Sequence, residues 1–392
     1  MPSTVLVRVS GRDRPGITAG LMEVMAHDDV EIVDIEQTVV RGRLELSVLI
    51  DVPAGNAALK DLLFYGWENG VQVDFEVVEG DVSPVAGGQW VVTIIAVHVT
   101  PAVFGAVAGA IAGSGGNIDR IVRIADYPVQ SYELAVSGGD LAAMRRDLGE
   151  AASWHGFDVA VQAEGLNRRA KRLVVLDVDS TLIQDEVIDM LAAEAGVGAE
   201  TSRITARAMA GELDFEQALR ARVALLAGTP MEVIELVASR IRLTPGARTF
   251  VRTLKRLGMK VAIVSGGFTV FTDRLRAQLS LDHATANVLA VADGVVTGEV
   301  VGPIIDRPGK AAAVKAIAEA EGVPLGQVVA IGDGANDLDM LAIAGLGIAF
   351  NAKPIVRQAA DTAVTVPYLD AILFLFGIRR GDVEAADAAD GL

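Results

Sequence analysis

The chain has 392 residues, sets 34 Lys and Arg against 51 Asp and Glu for a formal charge of −17, and contains no cysteine. That length exceeds what one ordinary core organises and points to about three domains; the basic residues are scattered apart from Arg168, Arg169, Lys171 and Arg172, which excludes a broad nucleic-acid-binding face. Without cysteine there is no disulfide, thiol nucleophile or thiolate zinc site, and His27, His98, His155 and His283 show no ligand spacing, so a metal must sit on oxygen donors, which favours magnesium.

Met1 to Val5 shows no basic region leading into an apolar stretch, so no secretory signal is read and the expected location is the cytoplasm. The predicted elements open with strand Val5–Ser10, helix Gly16–His27, strands Val30–Val40 and Leu44–Val52, helix Ala57–Gly70 and strand Val71–Val78, a βαββαβ unit. After a link of loop composition, Gly80–Gly88, the order recurs: strand Trp90–Val97, helix Pro101–Gly113, strands Asn117–Ala125 and Ser131–Ser137, helix Leu141–Trp154, strand Phe157–Ala163. Pro15 precedes Ile32-Val33-Asp34 by the interval that separates Pro101 from Ile118-Asp119, which indicates internal duplication. Val91–Gly113 lacks formal charge, yet Pro101 interrupts it and Ala and Gly fill its second half; it reads as strand, turn and short buried helix, and no membrane partner is expected.

Between the first strand and helix lies Gly11-Arg12-Asp13-Arg14-Pro15-Gly16-Ile17. Here the first unit resembles the ACT domain, a small amino-acid-sensing module whose first strand-to-helix loop binds an amino acid, usually where two modules meet. Gly16 permits close backbone approach, and the helix N-terminus beyond it offers free N–H groups to a carboxylate. An ordinary βα turn capped by Asp13 fits the same residues. The second unit has Ala102 in place of Gly16, and Gly105 is read as the substitute close-packing glycine.

Beyond the basic linker Leu166–Lys171 the pattern changes to α/β. Leu173–Leu176, Val261–Val264 and Val328–Ile331 are continuous apolar runs of the kind found in strands covered on both faces, and they lead into Asp177, Ser265 and Asp333. In open parallel sheets sites form at the carboxyl ends of strands, so the three endings support one another. The stretch Glu186–Arg242 is too long for one crossover and reads as an inserted helical cap, while Gly381–Leu392 reads as a frayed tail.

Asp177-Val178-Asp179-Ser180-Thr181 is followed in order by Ser265-Gly266-Gly267, by Lys310 opening a helix, and by Gly332-Asp333-Gly334-Ala335-Asn336-Asp337. This series resembles the haloacid dehalogenase superfamily of phosphotransferases. The resemblance implies a Rossmann-like parallel-sheet core over about 171–380 with a helical cap at about 186–245, preceded by two ferredoxin-like ACT modules at 1–80 and 88–165. It implies that Asp177 is the nucleophile and Asp179 the general acid and base. Asp177, Asp333 and the main-chain carbonyl of Asp179 would hold Mg²⁺; Ser265, Gly266 and Lys310 would take phosphoryl oxygens; Asp337 would orient Lys310 or a metal-bound water.

Within that superfamily the match narrows to the phosphoserine phosphatases. Glu186 would pair with a substrate ammonium, Arg222 would bind its carboxylate as a two-point fork, Met209 and Phe215 would seal the pocket, and Asn336 would reach the phosphate and carboxyl side. Glu186 also suits a helix-start acid, and Arg222 a solvated residue beside Arg220. The implied reaction is hydrolysis of O-phospho-L-serine to L-serine and phosphate, the last step of serine biosynthesis. A relative acting on another small phosphomonoester such as phosphohomoserine is the alternative; an amino-acid sensor with a vestigial catalytic domain is opposed by the full set Asp177, Asp179, Lys310 and Asp333. Fusion of sensing modules to an enzyme that makes an amino acid implies L-serine as regulatory ligand at Asp13, Gly16 and Ile17, completed by Asn117 and Asp119, in a homodimer.

Overall fold

Val5, Val7 and Val9 are buried while Arg8 among them is exposed, the period of two that a sheet covered on one face imposes. They lie in a computed structural model that describes residues 3–26, 30–53, 58–78 and 88–392; the link Gly80–Gly87 lies outside the described residues. The chain divides into two units, Met1–Pro84 and Val85–Leu392. The first contains β1 (Ser3–Arg12), α1 (Ile17–Ala26), β2 (Glu31–Val40), β3 (Arg43–Val52), α2 (Ala58–Asn69) and β4 (Gln72–Val77). Its antiparallel sheet has the order β2-β3-β1-β4, with Leu21 and Met25 of α1 and Leu62 of α2 covering one face. Edge strand β2 is exposed along its whole length, including Ile32, Val33, Ile35, Val39 and Val40.

The second unit opens with β5 (Gln89–Ala96), α3 (Pro101–Gly113), β6 (Gly116–Ala125), β7 (Gln130–Gly138), α4 (Leu141–His155) and β8 (Asp158–Ala163), in the sheet order β6-β7-β5-β8 that repeats the first module. Pro101 occupies the first turn of α3 and Thr100 caps it, accepting from the Val103 N–H at 3.3 Å. The uncharged stretch therefore splits into a strand and a short helix. Among the described residues no helix is long and apolar enough to cross a membrane.

The expected basic linker is not a free connection. It forms α5 (Leu166–Arg169); Arg168 is buried and paired with Glu133, and the Lys171 ammonium donates to the carbonyls of Gly326 (3.0 Å) and Gly345 (3.1 Å). Charge counted along the sequence could not distinguish these internal contacts from a solvated run. The face of the second module away from its helices packs on the α/β core: Ile95 and Ala160 share an apolar cluster with Leu176 and Phe250, and the Thr365 N–H and hydroxyl donate to Asp158 at 2.7 and 2.9 Å.

The elements of that core and its cap are β9 (Leu173–Leu176), α6 (Val187–Glu194), α7 (Gly198–Met209), α8 (Phe215–Ala224), α9 (Met231–Arg240), α10 (Ala247–Arg256), β10 (Lys260–Phe268), α11 (Thr269–Leu279), β11 (His283–Ala292), β12 (Val295–Val301), α12 (Arg307–Ala320), β13 (Val328–Gly332), α13 (Leu338–Ile343), β14 (Leu346–Phe350), α14 (Pro354–Ala359), β15 (Thr362–Val364) and α15 (Arg380–Ala389). The sheet order is β12-β11-β10-β9-β13-β14-β15, parallel except for β12. Helices α6 to α9 occupy the predicted cap. The tail departs from its reading: α15 buries Val383, Asp387 pairs with Arg252 and Arg256 of α10, and Asp390 pairs with Arg256. Alanine-rich helical sequence with acids matched to basic residues far away in the chain gave no local sign of that docking.

Candidate active site

The three central strands β10, β9 and β13 end side by side, so the residues at their carboxyl ends meet above the sheet. The Asp177 N–H donates to the Ile331 carbonyl at 2.9 Å, which fixes the nucleophile candidate between β9 and β13. Downstream the chain turns tightly through Ser180, a non-glycine residue at φ +57°, whose hydroxyl donates to Glu186 Oε1 at 2.8 Å. Beside them β10 bulges: its pairing with β11 jumps from Val264↔Thr285 to Phe268↔Asn287, freeing Ser265–Gly267 from the ladder. Buried Asn287 supports the bulge, donating to the Gly266 carbonyl (2.8 Å) and accepting from the Ile305 N–H (2.8 Å).

Lys310 lies in the first turn of α12, which Asp306 caps by accepting from the Gly309 N–H at 2.8 Å. Only 1% exposed, its ammonium donates to Asp177 Oδ1 (2.6 Å) and Asp337 Oδ1 (2.7 Å). The second oxygen of Asp337 accepts from the Gly334 N–H at 2.9 Å, folding the carboxylate back over Gly332, where a Cβ would stand 2.5 Å from Asp337 Cγ. That close approach explains the first glycine of Gly332-Asp333-Gly334. Thr181, fully buried, donates to Asp333 Oδ1 at 3.3 Å.

Burial raises the Asp177 carboxyl well above its ordinary value, and Asp337 and Asp179 add to this while Lys310 opposes it. Burial alone would depress Lys310, but the charges of Asp177 and Asp337 hold it above its ordinary value. Asp179 is pushed to about 6 by burial, although it accepts from the Val187 N–H (2.9 Å) and the Ser265 hydroxyl (3.4 Å). Asp333 is also raised to about 6, first by burial and then by Asp337 and Glu186. Carboxylates thus outnumber the cations beside them.

A cavity of about 210 Å³ opens above this cluster, lined by Asp177, Asp179, Glu186, Ile188, Phe215, Leu219, Arg222, Gly266, Gly267, Phe268, Asp333, Gly334, Asn336 and Lys353. It is smaller than drug-sized pockets and suits a small metabolite. Phe215 starts α8 beside its cap Asp214, and a Cβ on Gly266 would stand 3.0 Å from the ring, so cap and core meet there. Arg220 turns outward to Glu216 at 2.8 Å, whereas half-buried Arg222 turns inward, its Nε donating to the Ala218 carbonyl at 3.3 Å. Burial lowers the Arg222 pKa, opposed by Asp189, Glu186 and Asp179.

Met209 departs from expectation: it ends α7, is 73% exposed and does not line the cavity, because the chain turns at Gly211 (φ +79°) before α8 begins. Ser265 and Lys310 lie beneath the lining and touch it through Asp179 and Asp177. Lys353, Thr181 and Asn287 were missed by sequence reasoning; the first was hidden in Asn351-Ala352-Lys353-Pro354, where only the proline marks a helix start.

In the first module Gly16 adopts φ +98° with open space around a notional Cβ, so its backbone angle and not crowding calls for glycine. The Asp13 N–H donates to the Gly42 carbonyl at 2.8 Å, and the Tyr65 hydroxyl donates to the Ile17 carbonyl at 2.8 Å. Close packing falls instead at Gly20, where a Cβ would stand 2.5 Å from Tyr65 Oη. Gly105 corrects its reading too: it lies within α3 with nothing within 4 Å of a Cβ. Asn117 and Asp119 are exposed on β6; Asp119 Oδ1 accepts from Asn117 (2.8 Å) and from the Ser137 hydroxyl (2.9 Å).

A phosphoserine phosphatase of Streptomyces coelicolor is 54% identical over 99% of this chain and 96% of its own. The phosphoserine phosphatase SerB2 of Mycobacterium tuberculosis is 49% identical over the same shares, 99% and 96%. The chain belongs to the phosphoserine phosphatase family. Residues 174–342 match the haloacid dehalogenase-like hydrolase family, and residues 3–76 and 89–162 match ACT domain families. The solved structure of a phospho-aspartyl intermediate analogue of phosphoserine phosphatase is similar to this chain with 46% identity and a TM-score of 0.50, covering 52% of this chain and 98% of that one.

The site also sets a pH dependence of stability in the metal-free protein. Asp179 and Asp333 rise from 3.8 to about 6 on folding, so their stabilising contribution is complete below about pH 4 and is lost as pH rises through 6. Each shift is worth at most about 3 kcal/mol. Urea melts in chelator should therefore show the protein losing stability between about pH 4 and pH 7 from these groups, and Asp179→Asn, neutral throughout, should flatten the slope. An unchanged slope in that variant would contradict the assignment.

Proposed function

We propose that the chain hydrolyses O-phospho-L-serine to L-serine and phosphate through an aspartyl-phosphate at Asp177. The observation that carries this reading is the cavity in which Asp177 and Asp179 face Glu186 and Arg222. Asp177 and Asp179 offer a nucleophile and a proton donor, and Glu186 and Arg222 an acid and a base for the two opposite charges of an amino-acid headgroup. The similarity to a structure holding a phospho-aspartyl intermediate analogue supports the covalent route.

Asp177 attacks phosphorus while Lys310 steadies its carboxylate. Asp179, poised near 6, gives its proton to the departing serine oxygen. Serine leaves with that proton and the phosphoryl group stays on Asp177. Water then attacks the same phosphorus and gives its proton to Asp179, which restores both carboxyls and releases phosphate. Ser265 and the Gly266 N–H take phosphoryl oxygens, where transition-state charge resides. Arg222 holds the substrate carboxylate by two points and Glu186 the ammonium, with Ser180 fixing Glu186. Asn336 reaches toward the phosphate and carboxyl side.

The donor chemistry fits a hard divalent cation. Carboxylate oxygens of Asp177, Asp333 and Asp337 all lie within 4.8 Å of one another, and burial, followed by neighbouring carboxylates, raises Asp179 and Asp333. Asp177, Asp333 and the Asp179 carbonyl would hold Mg²⁺. Asp337 is already engaged by Lys310 and the Gly334 N–H, which suits an orienting role. Bound there, Mg²⁺ would lower repulsion between the anionic nucleophile and the phosphate dianion.

A magnesium-dependent phosphate-release assay tests this with phosphoserine, phosphohomoserine and an aryl phosphate. Phosphoserine should turn over best. Asp177→Asn should abolish turnover of all three with the thermal midpoint retained, because the amide is nearly isosteric but not nucleophilic. Arg222→Ala and Glu186→Ala should cut phosphoserine kcat/KM by on the order of 10²-fold or more while changing aryl phosphate hydrolysis far less. Wild-type-like turnover by Asp177→Asn, or equal losses on both esters, would overturn the corresponding assignment.

We further infer that L-serine regulates the enzyme through the Asp13–Ile17 loop, supported by the positive φ of Gly16 and the helix N-terminus just beyond it. Serine can act there only by binding two arrangements of the protein unequally, typically by about 1–3 kcal/mol. Gly16→Val should keep catalysis and lose serine inhibition. Inhibition equal to the parent's would assign it to product binding at Glu186 and Arg222 instead.

A further inference from the structure

The charge around the catalytic cavity is lopsided. Four lining residues, Asp177, Asp179, Glu186 and Asp333, are acidic, while Arg222 and Lys353 are the basic ones, and the whole chain carries −17. Lys310 lies beneath, already bonded to two carboxylates. A phosphomonoester dianion approaching the mouth therefore meets like charge from the protein as a whole. Arg222 is half-buried, and its field is opposed by Asp189, Glu186 and Asp179.

Lys353 differs in three ways. It is exposed at the cavity, and its ammonium has no ion pair or hydrogen bond among the described residues. Its main chain is nonetheless fixed: the N–H donates to the Asp333 carbonyl at 3.3 Å, and the carbonyl accepts from the N–H groups of Val356 (2.9 Å) and Arg357 (3.1 Å). Pro354 in the first turn of α14 holds the chain immediately after it. A free cation on a long stem is thus anchored beside the Asp333 strand end.

We propose that Lys353 is the entry cation of this site, drawing the phosphoryl dianion of an incoming substrate to the cavity mouth and taking no part in bond breaking. The proposal rests on the cavity being the site of phosphoryl transfer. It does not rest on the headgroup assignment of Glu186 and Arg222, because the group it acts on is the phosphate. Attraction between exposed charges reaches across the mouth at low ionic strength, where the screening length is about 30 Å at 0.01 M, and is largely quenched at about 3 Å in 1 M salt. An entry cation must therefore act on kcat/KM, respond to salt and serve every phosphomonoester alike. Arg222, a short-range fork for one carboxylate, also acts on kcat/KM but differs in the other two: its contact does not depend on long-range attraction that salt screens, and it serves only esters that carry a carboxylate.

The test compares the full chain with Lys353→Met, Lys353→Arg and Lys353→Glu, in Mg²⁺, on phosphoserine and an aryl phosphate at low and high ionic strength. Lys353→Met should lower kcat/KM about tenfold on both esters at about 0.01 M salt and about twofold or less at about 1 M, with kcat unchanged within about twofold. Lys353→Arg should restore the parent's value and Lys353→Glu should be worse than Met. Thermal midpoints should match, since the side chain is exposed. A parallel fall in kcat, a loss indifferent to salt, or a loss confined to phosphoserine would overturn the entry role; the last would make Lys353 a reader of the headgroup carboxylate. A parent chain inert toward both esters would sink the phosphatase reading itself, and the entry role with it.

Discussion

A single buried ammonium holds the site together. Lys310 bridges Asp177 and Asp337 in a place that excludes water from all three. Charges taken out of water are tolerated only when they are paired and hydrogen-bonded, and breaking such a pair typically costs about 3–5 kcal/mol. Each element that reaches the cluster meets that requirement: the Asp306 cap sets the first turn of α12, the Gly334 N–H takes the free oxygen of Asp337, and the absence of a side chain at Gly332 lets Asp337 fold back. The parallel sheet supplies the geometry, since β9 and β13 are paired in register and end together.

Burial, with carboxylates close by, also raises the acids of this cluster. Asp179 and Asp333 sit near 6, which in the proposed mechanism would suit proton exchange near neutral pH. In the proposed function the cap would add selectivity at a second level. Phe215 rests over Gly266, and Arg222 and Glu186 line the same cavity as Asp177, Asp179 and Asp333. In the proposed function, reaction chemistry would belong to the strand ends and headgroup recognition to the segments leading into and through the cap.

How much of this was legible depended on whether the signal was local. Asp177, Ser265 and Asp333 could be read because each comes at the end of a continuous apolar run, and Lys310 because it opens a helix at its place in that ordered series. Helix α3 was legible to the residue, Thr100-Pro101 marking its start. Strands β14 and β15 were not, being five and three residues long with little pattern of their own. Long-range pairing defeated the reading elsewhere: Arg168 and Lys171 read as a basic linker, but Arg168 pairs with Glu133 and Lys171 donates to two carbonyls over 150 residues away. Met209 and Gly105 were placed by correspondence with a pattern, and neither the exposed end of α7 nor the open face of α3 could be deduced from it.

The claim on which the rest turns is that Asp177 carries the phosphoryl group. Rapid mixing of enzyme, Mg²⁺ and phosphoserine, quenched in acid within the first turnover and analysed by peptide mass spectrometry, reads this directly. The account predicts one added phosphoryl group on the peptide containing Asp177, at that residue, decaying as phosphate appears. Phosphate release without any phosphorylated peptide, or with the label on Asp179 or Asp333, would contradict it.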